Sequence, residues 1–348
     1  MTGIDSVVIE KAIVHKVGNP TRGEHLKLSA NALTLNDALV QSMLVKYFLH
    51  AFNEHEQYHF THISDVAMNE VYSFATAIFE DANSFEANSA LLAQFLYSKS
   101  THNKVKEGEL YVTLFNEVML DGKTYKAVGL FKSETKETFL KVFPHGKGFE
   151  VAADEGININ KLDKGCLIIN TEPADGFRVL AIDNTNKNND TRYWIDDFLQ
   201  IQPVANQYHH TKEHLQLIRS FVTNEYPEQF EVQKTDQIEL MQRSLDYFKT
   251  KEQFSIQEFE QEVLHHEAVV ESFQRFKHNY QQANEVALDD DFAIHVAAVK
   301  KQSKVFKSIL KLDKNFHVYI HGRRDLIEKG YDDISGKHYY KLYFDEEA

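Results

Sequence analysis

The sequence predicts an α+β protein. Helices pack on an antiparallel sheet in the N-terminal part, and a helical C-terminal part ends in a small β-hairpin. Three observations carry this class. Apolar residues recur at three- and four-residue spacing early in the chain. The middle switches to β-rich runs around an Asp121-Gly122 turn, and helical spacing returns after Pro227.

The β-branched run at 7–14 reads as a strand. Asn36-Asp37 caps a helix in which Leu39, Met43, Leu44, Tyr47, Phe48 and Ala51 share a face, and two more helices follow at 66–79 and 84–97. Strands then run at 110–115, 125–131, 139–143, 165–170 and 177–182, the first two joined by the Asp-Gly turn. Residues 184–190 form a polar loop, and a helix spans 208–222. Asn224 to Glu228 holds a proline and no apolar period, so the expected domains are 1–224 and 225–348. Helices are expected at 237–248, 255–264 (with a Ser255-x-x-Glu258 capping box), 267–280 and 297–312. Strands at 316–320 and 339–344 close the chain.

Composition narrows the function classes. The 348 residues carry 38 bases and 52 acids, a formal charge of −14. That total argues against a protein that coats DNA by overall basicity, though not against a local basic patch. The lone Cys166 excludes a disulfide scaffold and a cysteine-based zinc finger. It lies in an apolar strand and reads as core. No run approaches the ~20 apolar residues that cross a bilayer. Met1 to Asp5 lacks the basic-then-apolar pattern of a signal peptide, so a cytoplasmic protein with no membrane partner is expected.

Several patterns raise catalysis or metal binding. His55-Glu56-Gln57-Tyr58-His59 matches the zinc-protease motif, with His62 on the same face if the segment were helical. A metal hydrolase is therefore one alternative. The polar, aromatic surroundings read instead as a surface loop after the first helix. His209-His210 with His214, and His265-His266, read as helix residues. Asp289-Asp290-Asp291 reads as a cap on the next helix. No phosphate-loop, dinucleotide or nucleophile-elbow motif occurs. No catalytic residue, metal ligand or cofactor is assigned, and a non-enzymatic role is expected.

The segment 296–329 differs in kind. It holds nine bases against three acids, a net of +6 in a chain whose remainder sums to −20. Lys300, Lys304, Lys307 and Lys311 follow one face of the expected helix, with Val299, Phe306, Ile309 and Leu310 opposite. Lys301 and Lys314 flank them, and Arg323-Arg324 follow the next strand. Such a stripe can track a phosphate backbone with little base information. Alternatively, it pairs with the acidic stretch 225–262, which holds ten acids and four bases.

Three blocks carry a family resemblance: His102 to Leu110; Leu120 to Lys123 with Gly129 to Ser133 and Thr138 to Lys141; and Val299 to Gly322. Together they resemble the bacterial nucleoid-associated family of the NdpA/YejK type, in its Bacteroidetes branch, over nearly the whole chain. The resemblance implies a cytoplasmic, nucleoid-located protein that binds double-stranded DNA in some members and is linked to type II topoisomerases. It transfers no catalytic residue. Enterobacterial members carry a glycine-rich stretch where this chain has Lys314-Asn315-Phe316-His317. The expected function is non-specific DNA binding through Lys300, Lys301, Lys304, Lys307, Lys311, Lys314, Arg323 and Arg324. The main alternative is a module that docks on a DNA-bound enzyme such as a topoisomerase subunit.

Overall fold

The computed structural model describes residues 4–185, 193–306, 309–320 and 326–346. The chain divides into two compact units at Val204–Ala205. The first contains β1 (Val8–Val17), α1 (Ala38–Leu49), β2 (Gln57–Phe60), α2 (Glu70–Glu80), α3 (Phe85–Lys99), β3 (Gly108–Leu120), β4 (Lys123–Ser133), β5 (Glu137–His145), β6 (Gly148–Gly156), β7 (Lys164–Ile169), β8 (Arg178–Asp183) and β9 (Ile201–Pro203). Seven of these strands form one antiparallel sheet in the order β1-β3-β4-β7-β8-β2-β9, while β5 and β6 form a separate two-stranded ribbon.

The sheet is covered on both faces, and the two-residue period of its strands sorts the side chains. Val112, Leu114, Val128, Leu130, Cys166 and Ile168 face a core shared with α2, α3 and the π-helical turn Tyr193–Leu199. Phe115, Ala127, Phe131, Leu167 and Ile169 face a second core under α1. There Phe48 stacks on Phe131 at 4.3 Å between ring centroids. Cys166 is fully buried, which pushes its thiol pKa up and leaves it unreactive. The Asp121-Gly122 turn forms as the sequence predicts. Both residues adopt positive φ (49° and 76°), the geometry that matches strand twist in a two-residue hairpin.

The second unit contains α4 (Gln207–Ser220), α5 (Tyr226–Gln229), α6 (Lys234–Thr250), β10 (Gln253–Ser255), α7 (Ile256–Phe259), α8 (Glu267–Asn284), β11 (Asp291–Ala293), α9 (Val296–Ser303), β12 (Ile309–Leu312), β13 (Phe316–Tyr319), β14 (Ile327–Asp332) and β15 (Lys337–Leu342). Its core is aromatic. Phe254 stacks between Phe248 (5.2 Å) and Phe292 (4.9 Å), with Phe221, Phe259 and Phe273 around them. Leu215, Leu217 and Ile218 of α4 belong to this same core. The stretch at Asn224–Glu228 is thus no gap. A π-turn at Phe221–Glu225 runs straight into α5, and Pro227, which has no N–H to donate, follows directly on that turn.

Other sequence expectations are corrected here. The Ser255 capping box does not form: Ser255 makes no side-chain capping bond, and the Glu258 carboxylate accepts from Lys251 (2.6 Å) and Tyr247 (2.8 Å) instead. The aspartates at 289–291 do not cap α9, whose N-cap is His295. Asp291 instead starts β11, Asp290 pairs with Lys277, and Asp289 lies 3.4 Å from His210.

The buried His214 makes the second unit acid-labile. Its Nδ1–H donates to the His210 carbonyl (3.0 Å), while Nε2 is buried without a partner against Phe254 and Phe292. Burial lowers its pKa to about 4, below the ordinary 6.5. Between about pH 4 and 6.5 the ring is therefore mostly neutral in the folded state and mostly protonated in the unfolded one. Its contribution is whole above pH 6.5 and is lost as pH falls through about 4, amounting to ~3 kcal/mol at ~1.4 kcal/mol per pH unit. Urea denaturation of the protein at pH 7 and pH 5 should show about 2 kcal/mol of this loss, and His214→Leu should flatten it.

Candidate nucleic-acid interface

The basic segment is not one helix. α9 ends at Ser303, the chain turns at Lys304–Val305, and Ile309–Leu312 forms strand β12. β12 pairs with β13 in the register Leu310↔Val318, Lys311↔His317, Leu312↔Phe316, closed by a turn in which Asp313 has φ 51°. The strand alternation decides what faces water. Leu310, Leu312 and Val318 share one face and pack with Ile238 of α6, which also meets Ile320, Ile327 and Tyr340. Gln242 of α6 donates to the Ile320 carbonyl (3.3 Å). The opposite face carries Lys311, His317 and Tyr319 into solvent. A second hairpin, β14–β15, follows, so strand 316–319 pairs backwards rather than with the last strand.

α9 is held from below. The His295 N–H donates to Thr211 Oγ1 of α4 (2.9 Å), and Ala298, Val299 and Gln302 are buried. Lys300, Lys301, Lys304, Lys311 and Lys314 are all exposed. Lys307, Arg323 and Arg324 lie outside the described residues. Among the described residues no carboxylate comes within 4.0 Å of the Lys300, Lys304, Lys311 or Lys314 ammonium. The acidic stretch finds partners of its own instead. Lys251 bridges Glu258 and Glu262, Lys249 meets Asp246, and Arg243 meets Glu239.

The structure adds two cations that the sequence did not single out. Arg219 at the end of α4 and Lys234 at the start of α6 join Lys311 around a cleft of about 440 Å³. Its apolar floor is Val222, Ile238, Met241 and Phe306. Lys234 donates to Gln237 (2.7 Å), and neither Arg219 nor Lys234 has a carboxylate within 4.0 Å among the described residues. Both lie far from Lys311 in the chain, so no local pattern could group them.

Two lysines of the first unit behave differently. In the first unit Lys132 is fully buried and donates to Glu134 (2.9 Å), the Lys106 carbonyl (2.7 Å) and Tyr193 (3.3 Å). Burial lowers its pKa, and Glu134 opposes that shift. Across the β4–β7 ladder Lys164 pairs with Asp183 (2.7 Å), and both lysines lie over the Tyr193 ring. Each buried cation has its own carboxylate, so this cluster is a structural lock at the sheet end.

The zinc-protease match has the wrong backbone. His55 and Glu56 lie in a turn after α1, and His59 sits on β2, paired with Gln202 of β9. Histidines four residues apart come within reach of one metal ion on a helix, where they lie one turn apart, whereas in extended chain they are about 13 Å apart. The first half of the segment is the expected turn after α1, and the second half is a sheet strand. Among the described residues no group of three or more His, Cys, Asp or Glu side chains is placed to hold a metal ion. Nor is any described helix long and apolar enough to cross a membrane.

The sequence matches the family described as nucleoid-associated protein YejK over residues 13–337. The chain belongs to that family. The match begins inside β1 and ends inside β15, so YejK-family membership covers both units, the cationic segment included. None of the curated proteins matches the chain.

The buried lock gives a direct test. Lys132→Met should destabilise the first unit by about 3–5 kcal/mol, because Glu134 is left buried without its cation. Adding Glu134→Gln should recover part of the loss in urea denaturation.

Proposed function

We propose that this YejK-family protein binds duplex DNA non-specifically in the bacterial nucleoid, through the exposed cations of its C-terminal unit, and without catalysis. The observation that carries this is Lys300, Lys304, Lys311 and Lys314 standing in solvent with no carboxylate within 4.0 Å among the described residues, on a chain of net charge −14. On such a chain, a cationic surface is expected to orient the protein toward a polyanion while the acidic remainder is repelled. Each lysine acts as a phosphate contact, with Lys301 beside them, and Arg219 and Lys234 extend the set. Lys307, Arg323 and Arg324 join it on sequence grounds. Phosphate contacts position a protein without reading bases, so sequence preference should be weak. The cytoplasm is the corresponding compartment.

A second reading has one observation of its own. Phe316, Tyr319, Tyr331 and Tyr339 are exposed on the two terminal hairpins, and aromatic residues are enriched where proteins dock. The same unit would then meet a DNA-bound enzyme such as a type II topoisomerase.

Fluorescence anisotropy with a duplex over a salt series separates the two. Direct binding predicts a log–log slope of about −4, for four or five phosphates engaged. Lys300→Ala/Lys304→Ala/Lys311→Ala should bring the slope to about −1.5 and weaken binding at least ~10-fold at moderate salt. No binding at low salt would contradict direct binding and favour the docking module.

A further inference from the structure

The β5–β6 ribbon of the first unit has no core beneath it. Every residue from Thr138 to His145 and from Gly148 to Glu155 is exposed. The cross-strand pairs Leu140–Ala153, Val142–Val151 and Pro144–Phe149 share one face. That face carries no charge between Thr138 and Glu155. Leu140 is 70% exposed, Val142 64%, Phe149 77% and Val151 58%. The opposite face is mixed, with Lys141 paired to Asp154 and His145 to Glu150 (3.4 Å).

The root of this ribbon is fixed. Asp163 accepts the backbone N–H groups of Glu134 (2.6 Å) and Thr135 (2.8 Å). Glu137 accepts from Lys161 (2.6 Å) and Asn158 (2.9 Å), and Lys136 donates to Glu109 (2.7 Å). A pinned root presents the bare apolar face in a defined direction. Two strands alone are marginal in water, and among the described residues both long edges of the ribbon lack a neighbouring strand.

We infer that the apolar face of the β5–β6 ribbon is a self-association surface, packing against the same face of a second copy of this chain. The lack of charge on this face and its area favour that occupant over a polyanion. Residues 137–156 hold two lysines against four carboxylates, a net of −2 that repels a polyanion. The face itself offers nothing for a charged partner to pair with. An uncharged apolar face is self-complementary, and a two-fold axis lets each copy cover the other and closes the assembly. The exposed apolar side chains amount to roughly 600 Å² per copy, or about 1,200 Å² in total, the lower bound for a specific interface.

Sedimentation equilibrium of the full chain tests this. The parent protein should sediment as a dimer of 40.3 kDa chains at tens of micromolar. Leu140→Glu/Phe149→Glu should be monomeric with an unchanged circular dichroism spectrum, since both residues are exposed. Phe149→Ser, which adds no charge, should weaken association at least ten-fold, which keeps the test open should the double variant misfold. A parent protein that stays monomeric to ~100 µM, a concentration at which even a contact of about −5.5 kcal/mol would register, overturns the proposal. So does a dimer that Phe149→Ser leaves unchanged, or one that a folded double variant retains.

Discussion

The buried lysines of this protein are ion-paired, and the exposed lysines at 300, 304, 311 and 314 are not, among the described residues. Buried Lys132 and Lys164 each have a carboxylate, and half-exposed Lys251 has two. Lys300, Lys304, Lys311 and Lys314 have none within 4.0 Å among the described residues. Exposed ion pairs add only about 0–1 kcal/mol each, so stability does not require these four to be paired. Left unpaired, they keep their field available to a ligand, and the functional reading rests on that.

The rest of the second unit serves to present that field. α4 and α6 are anchored in an aromatic core, and α9 hangs from α4 through Thr211 and buried Val299. The β12–β13 hairpin is a short two-stranded element that would be marginal alone. It is held by Leu310 against Ile238 and by the Gln242 bond to Ile320. The register that buries Leu310 and Val318 is the one that turns Lys311 and Tyr319 outward. A one-residue slip would bury the lysine, so packing and charge presentation are one constraint.

Much of the first unit was legible because its signals are local. The Asp121-Gly122 turn needs positive φ, and the helix α2 keeps a clear apolar period. Both faces of β4 and β7 are buried, which is why their sequences read as continuous apolar runs. The failures came where a local pattern fits two periods. Lys300, Lys304, Lys307 and Lys311 fit a helix face, yet Leu310-Lys311-Leu312 also alternates as a strand. Asp313-Lys314-Asn315, three turn-prone or polar residues between two apolar runs, was the hairpin signal. Pro227 read as a break because its place directly after a π-turn depends on the helix before it. The link of Arg219 and Lys234 to Lys311 is tertiary and has no sequence trace.

The most direct measurement is amine labelling of the intact protein, read lysine by lysine by mass spectrometry, with and without duplex DNA at low salt. Protection of Lys300, Lys304, Lys311 and Lys314 by DNA, with Lys141 and Lys147 on the ribbon labelled equally in both samples, is the predicted result. Equal labelling of the four C-terminal lysines with and without bound DNA would contradict the account.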